Sequence, residues 1–261
     1  MMIRPVLHQY PIGTEVTAFS STRHGGVSKG NYASFNINYY CGDDPNDIKT
    51  NRENLCQLLG IVEDQLVYPH QTHSDKVVAI DRQWMDSMSP AEKTISLEGV
   101  DAVMTNLSRV CIGVSTADCI PVLLYDKENH ACCAVHAGWR GTVKRIVQKA
   151  VLSMENVYHS HASRLKVVIG PGISLESFEV GDEVYDQFAL AGFDMECIAK
   201  RYQKWHIDLW ECNKMQLTDM GVPESSIHVS GICTYIHHHD FFSARRSGIN
   251  SGRIFSGIML K

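Results

Sequence analysis

The chain has 261 residues, of which 44% are hydrophobic and 20% charged, and its formal net charge is −5. This length supplies a sizeable core without disulfide or metal staples, and a mildly acidic chain without a basic stripe argues against a nucleic-acid partner. The absence of a long apolar run and of an export-type start predicts no membrane partner, and nine irregularly spaced cysteines then predict reduced thiols in a cytoplasmic protein.

Hydrophobic periodicity and capping signals predict strands and helices that do not follow strict βαβ alternation. The strongest helix is expected over 142–157, where apolar residues recur at helical spacing. No repeat or linker interrupts the chain, so we predict an α+β fold of one domain, 1–261, with mixed sheets and helices outside them. In chain order the predicted elements are strand 16–20, a helix begun by Asp44 and Pro45, strands 77–80, 102–105, 111–114, 120–125 and 132–136, helix 142–157, strand 166–169, helices 182–190 and 208–220, and strands 227–229 and 253–260.

Two strand-like runs between Thr116 and Thr142 each carry one soft metal ligand at a margin. Cys119 precedes one run, and His136 ends the other. A thiolate and an imidazole together suit zinc, but for two such residues alone a buried cysteine and a hydrogen-bonded histidine are the more ordinary interpretation. Asp118 directly precedes the cysteine and is the acidic residue nearest to it in the sequence.

The segment HAGWRGT, which begins at His136, predicts an anion site. A strand, a turn containing Gly138 and a helix N-terminus together present free N–H groups and the positive end of a helix dipole. Arg140 could clamp an anion through two parallel hydrogen bonds. The alternative for the glycines is ordinary turn chemistry.

Two other segments could add side chains to the same point. His70 and His73 are three residues apart and would face opposite sides of a strand, so at most one is expected to be a ligand unless the segment is a loop or a helix turn. Arg23 stands beside a glycine turn that follows a strand, and it either reaches a cleft or is exposed on a hairpin. Nucleotide-binding, serine-hydrolase and HExxH motifs are absent, so those functions lack support.

Seven segments that follow one another along the chain together resemble the YfiH-like family. This family has been called multicopper polyphenol oxidase or laccase-domain proteins, and its members are described as purine nucleoside phosphorylases. The resemblance covers nearly the whole chain, and the ordered combination is far more specific than any one piece. The segments are FSSTRHGGVSKGNYASFNI, PHQTHSDKV, VDAVMTN, TADCIPVLLYD, AVHAGWRGT, IGPGIS and CTYIHHHDFFSARRSGINSGRIFSGI.

The resemblance implies α/β/β/α layering and a zinc site made by one cysteine and two histidines. Matched motif by motif, the ligands are Cys119, His136 and His73, and Arg23 matches the arginine of the TRxGGVS motif. Three protein ligands leave a fourth position open, which is typical of catalytic zinc. The closing segment reads FFSARR where the family often has FFSYRR, so Ala244 stands in place of a ring that could stack on a base.

The implied activity is zinc-dependent phosphorolysis of adenosine or inosine to the free base and ribose 1-phosphate, with adenosine deamination as a side activity. The expected partners are a purine nucleoside and phosphate, and the protein is expected to be a monomer or a homodimer. Under this hypothesis Arg23, Arg140 and the backbone around Gly138 hold phosphate. Asp118 orders the site or contacts the ribose.

Three alternatives remain at the level of sequence. A copper-dependent polyphenol oxidase is disfavoured because few HxH pairs are present and the chain is short for three cupredoxin domains. A cysteine amidase acting on a cell-wall precursor would use Cys119 as nucleophile and His136 as base, and would need no metal. A zinc-stabilised interaction module would lose stability, but no catalysis, when Cys119 is replaced.

Overall fold

Two mixed β-sheets packed face to face form the centre of the fold, which a computed structural model describes over residues 4–261. Fourteen strands are present in the described part of the chain. They are β1 (Leu7–Tyr10), β2 (Val16–Ser21), β3 (Leu66–Val67), β4 (Val77–Ala79), β5 (Ala102–Thr105), β6 (Cys111–Thr116), β7 (Ile120–Asp126), β8 (Ala131–Ala137), β9 (Lys166–Ile169), β10 (Glu179–Val180), β11 (Ala199–Arg201), β12 (Trp205–Ile207), β13 (Ile227–Val229) and β14 (Ile254–Leu260).

Each large sheet mixes parallel and antiparallel pairs. The first sheet has the order β1-β2-β14-β6-β3, and its one parallel pair joins β3 to β6. The second has the order β13-β9-β7-β8-β5-β4, with parallel pairs at both edges. A small antiparallel sheet, β10-β12-β11, lies apart from them. The antiparallel β7–β8 register pairs Pro121 with His136, which brings the end of β8 beside the turn that holds Cys119.

The longer helices lie on the outer faces of the two large sheets. The first of them begins at a side-chain cap: Asp44 accepts a hydrogen bond from the Asn46 N–H at 2.8 Å, and Pro45 follows it. Over residues 4–261 the helices are α1 (Pro45–Leu59), α2 (Arg82–Ser87), α3 (Pro90–Ser96), α4 (Trp139–Val143), α5 (Ile146–Tyr158), α6 (Asp182–Leu190), α7 (Met195–Ile198), α8 (Leu209–Asp219) and α9 (Ala244–Ser247).

Three hydrophobic clusters define the layers. One lies between the two sheets and includes Val114 from β6 and Leu123 from β7. A second fills the space between the six-stranded sheet and helices α5 and α8, and a third lies where α1 contributes Leu55 against the five-stranded sheet. The protein is therefore a mixed α+β fold with the order helix, sheet, sheet, helix, as the resemblance implies. The extent of one domain over 1–261 stays a prediction.

The predicted elements agree with the structure except in the region that follows β8. All nine predicted strands are present. The predicted helix 142–157 is wrong as one element, because Arg145 adopts a left-handed conformation (φ 62°) that separates α4 from α5. The predictions missed β1, β3, the small sheet and helices α2, α3, α7 and α9. In residues 4–261 no helix combines the length and hydrophobicity that crossing a bilayer requires.

Candidate metal centre and cavity

Three side chains from distant parts of the chain meet at one end of β8. The ligand atoms of His73, Cys119 and His136 all lie within 4.8 Å of one another. The Cys119 sulfur is 3.7 Å from Nε2 of His73, and the two imidazole rings are 5.0 Å apart at 70°. The turn between β6 and β7 supplies the cysteine, β8 supplies His136, and the loop between β3 and β4 supplies His73. The structure thus brings together the three residues that the resemblance paired with zinc.

The carboxylate of Asp101 holds two of these side chains in place. Asp101 is fully buried immediately before β5, and its Oδ1 accepts hydrogen bonds from Nδ1 of His136 at 2.6 Å and from the backbone N–H of His73 at 3.0 Å. Its Oδ2 accepts hydrogen bonds from the backbone N–H groups of Thr72 and Ser74. Because Nδ1 of His136 is bonded to the carboxylate, its Nε2 is the nitrogen left for a ligand, which is the usual arrangement around a metal-binding histidine.

Two residues of the site have left-handed backbone conformations that side chains adopt at a cost of about 1 kcal/mol or more. His73 has φ 62°, and the Asp101 carboxylate holds its loop. Asp118 has φ 83°. Its carboxylate accepts hydrogen bonds from the Thr234 hydroxyl at 2.7 Å and from the Arg245 N–H at 2.6 Å. These contacts tie the turn that presents Cys119 to the C-terminal segment.

The candidate ligand residues His73, Cys119 and His136, which line one shared cavity, form the ligand group. Gly138 lies against this ligand group, at a position where a side chain could not fit. A Cβ placed on Gly138 would lie 2.7 Å from Cδ2 of His73 and 3.1 Å from the Cys119 sulfur. A carbon atom at the first distance forces its neighbour to move, and both neighbours belong to the candidate metal site. The absence of a side chain at this position is therefore a requirement of the three-ligand arrangement, and its role in the structure is steric.

Replacing Gly138 with alanine is expected to weaken zinc binding about tenfold or more, because changes to the groups that orient metal-binding side chains cost 10- to 100-fold in metal affinity. The new methyl group would displace His73 from the cysteine. Competition against a chelator of known affinity measures the change, and thermal unfolding of the metal-free protein shows whether the fold is kept. Zinc affinity equal to that of the wild type would contradict the steric role.

The donor set fits zinc. One thiolate and two imidazoles are ligands that zinc takes in catalytic sites, where a fourth position stays open to solvent or substrate. Here the three side chains line a cavity of about 250 Å³. Metal sites also need surrounding groups that fix the orientation of the ligand side chains. Here Asp101 holds His136, and Gly138 leaves space for His73 and Cys119.

The charges of the ligand residues also favour metal binding. Burial alone would raise the pKa of the Cys119 thiol, but attraction and hydrogen bonding to His136 and His73 outweigh it and lower the pKa to about 6. Burial opposes a charged His136, yet the Cys119 sulfur and the Asp101 carboxylate raise the pKa of His136 to about 9. The metal-free site therefore holds a thiolate beside an imidazolium, and a metal ion replaces the imidazolium proton.

In metal-free protein, iodoacetamide at pH 7 is expected to modify Cys119 faster than the exposed Cys197. The Asp194 carboxylate raises the pKa of Cys197, whereas Cys119 is a thiolate above pH 6 and becomes a thiol as the pH falls below 6. Peptide mapping by mass spectrometry gives both rates in one sample. Zinc should protect Cys119 and leave Cys197 unchanged, and equal labelling of Cys119 with and without zinc would exclude it as a ligand.

The rest of the cavity wall comes from three segments. Aromatic and polar side chains precede His73 in the sequence, Ser115 belongs to β6, and the segment that begins at α9 closes the cavity. Ala244 is one of the lining residues, so the ring expected to be missing at this position is missing from the cavity itself. Besides His73, Cys119 and His136, the lining residues include Tyr40, His70, Gln71, Ser115, Ala244 and Arg253.

The structure does not bring the predicted phosphate ligands to this wall. Arg23 donates to the carbonyls of Ala33 and His238, each at 2.8 Å. Arg140 is exposed and lies over the ring of Trp139, and neither arginine is among the cavity-lining residues. The helix after His136 has five residues instead of the long helix predicted, so its dipole is short. Arg253 is the one arginine or lysine among the described residues that line the cavity.

Sequence reasoning left two functional features unassigned. His70 and His73 lie on a loop, and both line the cavity, but only His73 belongs to the ligand group. His70 is bonded through Nδ1 to Glu98 at 2.8 Å. Asp101 lies in the VDAVMTN segment, directly before the strand sequence AVMT. An ionisable residue at the margin of a largely apolar strand needs compensating hydrogen bonds once it is buried, and this is the one signal that the sequence carries for it.

Comparisons with known proteins identify the family to which this chain is similar. The family model described as multi-copper polyphenol oxidoreductase laccase matches residues 17–261. A protein of Bacteroides thetaiotaomicron named purine nucleoside phosphorylase is 47% identical over 250 residues, which covers 95% of this chain and 92% of the relative. A protein from an unknown prokaryotic organism named adenosine deaminase RL5 is 42% identical over 249 residues, which covers 94% of each chain.

Solved structures give the same picture of the fold. YlmD from Geobacillus stearothermophilus matches with a TM-score of 0.88 at 29% identity, covering 97% of this chain and 94% of that one. The hypothetical protein YfiH of Bacillus licheniformis matches with a TM-score of 0.85 at 26% identity, covering 94% and 93%. The similarity therefore extends over both sheets and over the segments that build the cavity.

Proposed function

The chain belongs to the family described as multi-copper polyphenol oxidoreductase laccase, and from that membership and its cavity we propose that it is a zinc-dependent purine nucleoside phosphorylase. The substrates are adenosine or inosine and phosphate, and the products are the free base and ribose 1-phosphate. A second activity, deamination of adenosine to inosine, is supported by the relative named adenosine deaminase RL5. The observation that carries the proposal is the convergence of His73, Cys119 and His136 on one cavity.

A zinc ion held by these three residues would supply a Lewis acid with one position open to the cavity. The other parts of the site act through the chain itself. Asp101 keeps Nε2 of His136 directed at the ligand group, and the thiolate of Cys119 provides the negative charge that a divalent cation requires. Gly138 allows His73 and the cysteine to approach each other.

Phosphorolysis requires that phosphate and nucleoside meet in one cavity. A phosphate oxygen forms a bond to the anomeric carbon of ribose while the carbon–nitrogen bond to the base breaks, and the bonding electron pair leaves with the base, which takes up a proton. Arg253 is the residue we assign to phosphate, since it lines the cavity and carries a permanent positive charge. Backbone carbonyls of Ile249 and Ser251 hold its guanidinium in place.

Zinc is proposed rather than copper on the basis of the ligands. A blue-copper centre also uses two histidines and one cysteine, but adds a weak axial ligand such as methionine or glutamine. Among residues 4–261 no methionine lines the cavity, and the amide of Gln71 is bonded at both its nitrogen and its oxygen to the backbone of Ser115. These contacts leave the glutamine poorly suited to bind a metal.

A cysteine hydrolase would use part of the same geometry. Cys119, His136 and Asp101 form the order of nucleophile, base and orienting carboxylate that such enzymes need. The second imidazole, His73, lies 3.7 Å from the sulfur and has no role in that mechanism, whereas a metal site requires it. This difference favours the metal. The proposal includes action in the cytoplasm, in keeping with nine cysteines that are all free, and it includes a monomer or a homodimer.

The test pairs metal analysis with product separation. Protein with measured zinc and copper content is incubated with adenosine, with and without phosphate, and adenine, inosine and hypoxanthine are separated. We expect adenine to appear only with phosphate and inosine to appear in both conditions. Zinc-loaded protein that forms neither product would contradict the proposal. Phenol oxidation that requires bound copper and oxygen, or turnover by chelator-treated protein with a covalent adduct on Cys119, would support the two alternatives.

A further inference from the structure

A stacked aromatic pair forms part of the cavity wall beyond the ligand group. The rings of Tyr40 and His70 lie 4.0 Å apart at an interplanar angle of 20°, and both residues line the cavity. Glu98 accepts a hydrogen bond from Nδ1 of His70 at 2.8 Å, which fixes the orientation of the imidazole. Tyr40 remains 48% exposed even in this stack, and it lines both this cavity and a neighbouring groove. The cavity therefore presents an oriented π-surface that no contact within the described chain fully covers.

A hydroxyl group without a partner lies in the same wall. Ser115 is 5% exposed, and its hydroxyl has no hydrogen-bond partner among the described residues. The backbone of Ser115 is held at both its N–H and its carbonyl by Gln71, at 2.7 and 2.8 Å, so the residue cannot turn away. A buried hydroxyl left unpaired is destabilising unless a ligand or a water molecule supplies a partner.

We infer that this wall binds the purine base, stacked on the Tyr40–His70 pair with the Ser115 hydroxyl bonded to the edge of the base. The inference rests on the proposed function, and it identifies the part of the cavity that recognises the base. Bases stack on aromatic side chains through their π-faces, and a serine hydroxyl can donate to a ring nitrogen or accept from an amino group. The small side chain of Ala244, in the same cavity, leaves room for a fused ring.

Binding measurements on fragments of the nucleoside separate base recognition from sugar and phosphate recognition. Zinc-loaded protein and chelator-treated protein are titrated with adenosine, adenine and ribose 1-phosphate, in the wild type and in Tyr40→Ala, Tyr40→Phe and Ser115→Ala. Tyr39→Ala is the matched control, because Tyr39 is similarly exposed and lines a neighbouring groove instead of this cavity.

Tyr40→Ala is expected to lower the affinity for adenosine and adenine about tenfold or more. The affinity for ribose 1-phosphate should stay within about twofold of the wild type, since stacking acts on the base alone. Tyr40→Phe keeps the ring and should bind as the wild type does. Ser115→Ala should lower the affinity for adenosine about two- to tenfold. Its melting temperature without nucleoside should equal or exceed that of the wild type, because the hydroxyl makes no hydrogen bond within the described chain.

The outcomes distinguish this inference from the proposed function. Wild-type protein that converts adenosine, combined with unaltered adenine binding by Tyr40→Ala, would overturn the base-binding wall alone. Binding by Tyr40→Phe that is as weak as binding by Tyr40→Ala would overturn the stacking role, as would an equal loss for ribose 1-phosphate. Wild-type protein that neither binds nor converts any nucleoside would overturn both.

Discussion

Replacing Cys119 with alanine is expected to lower zinc affinity by about two to three orders of magnitude and phosphorolysis by a similar factor. Four-ligand zinc sites bind with about 10–16 kcal/mol, or roughly 3 kcal/mol for each ligand. Cys119 is also the one anionic member of the ligand group, so its loss leaves two neutral imidazoles. Metal content after dialysis, a competition titration and the rate of adenine formation measure the three effects.

The control for this substitution is Cys197→Ala, which removes an exposed thiol outside the ligand group. It should keep the metal content and the rate of the wild type. Zinc should raise the melting temperature of the wild type and of the control but not that of Cys119→Ala, because a ligand stabilises only a protein that binds it. Full activity in metal-depleted Cys119→Ala would exclude both the metal centre and a nucleophilic cysteine.

The strands were predictable because each is a local pattern. Strands β7 and β8 are fully buried along their length, and their sequences are apolar except for Asp126 at the end of β7 and His136 near the end of β8. The strands that were missed have two to four residues, and pairing with neighbouring strands defines them. Charged side chains of Lys200 and Arg201 occupy β11, for example, which exists because it pairs with β12. Short strands of this kind carry no periodicity of their own.

The break between α4 and α5 could not be predicted from local sequence. The apolar spacing continues through Arg145, and no glycine or proline marks the end of the first helix. Tertiary contacts hold Arg145 in its left-handed conformation: its guanidinium donates to the carbonyl of Ala191 at 2.8 Å and lies 3.6 Å from the centroid of the Phe193 ring. The short helix that results changes what the segment after His136 can do, because a long helix dipole no longer points at the site.

The residues of the site also fall into two groups, those that the sequence could identify and those that it could not. Cys119, His136 and His73 stand in specific motifs, and the resemblance therefore selected them. The roles of Asp101 and Ser115 depend on which chain segments meet them in space. The loop around His73 returns to Asp101 across 27 to 29 positions of sequence, and Gln71 reaches Ser115 across 44. No local pattern encodes such contacts, so the outer part of the site became visible only in the folded chain.

Asp101→Asn is expected to lower zinc affinity about 10- to 100-fold and to reduce stability by about 2–4 kcal/mol, although it changes the size of the side chain very little. Burial alone would raise the pKa of Asp101, but hydrogen bonding and attraction to His136 outweigh it and hold the carboxylate in its charged form. An amide has one acceptor oxygen where the carboxylate has two. In either orientation its NH₂ group would therefore face an N–H donor, from His136 or from the loop that carries His73, and that hydrogen bond would be lost.

Asp126→Asn separates the metal effect from the loss of stability. Asp126 is also fully buried and accepts the backbone N–H groups of Glu128 and Asn129, but it touches none of the three ligands. Both variants should melt earlier than the wild type, whereas only Asp101→Asn should lose zinc in a chelator titration. If the two variants lost zinc equally, the effect would come from general loosening of the fold; selective loss in Asp101→Asn would mean that this carboxylate sets the direction of the His136 ligand and the position of the His73 loop.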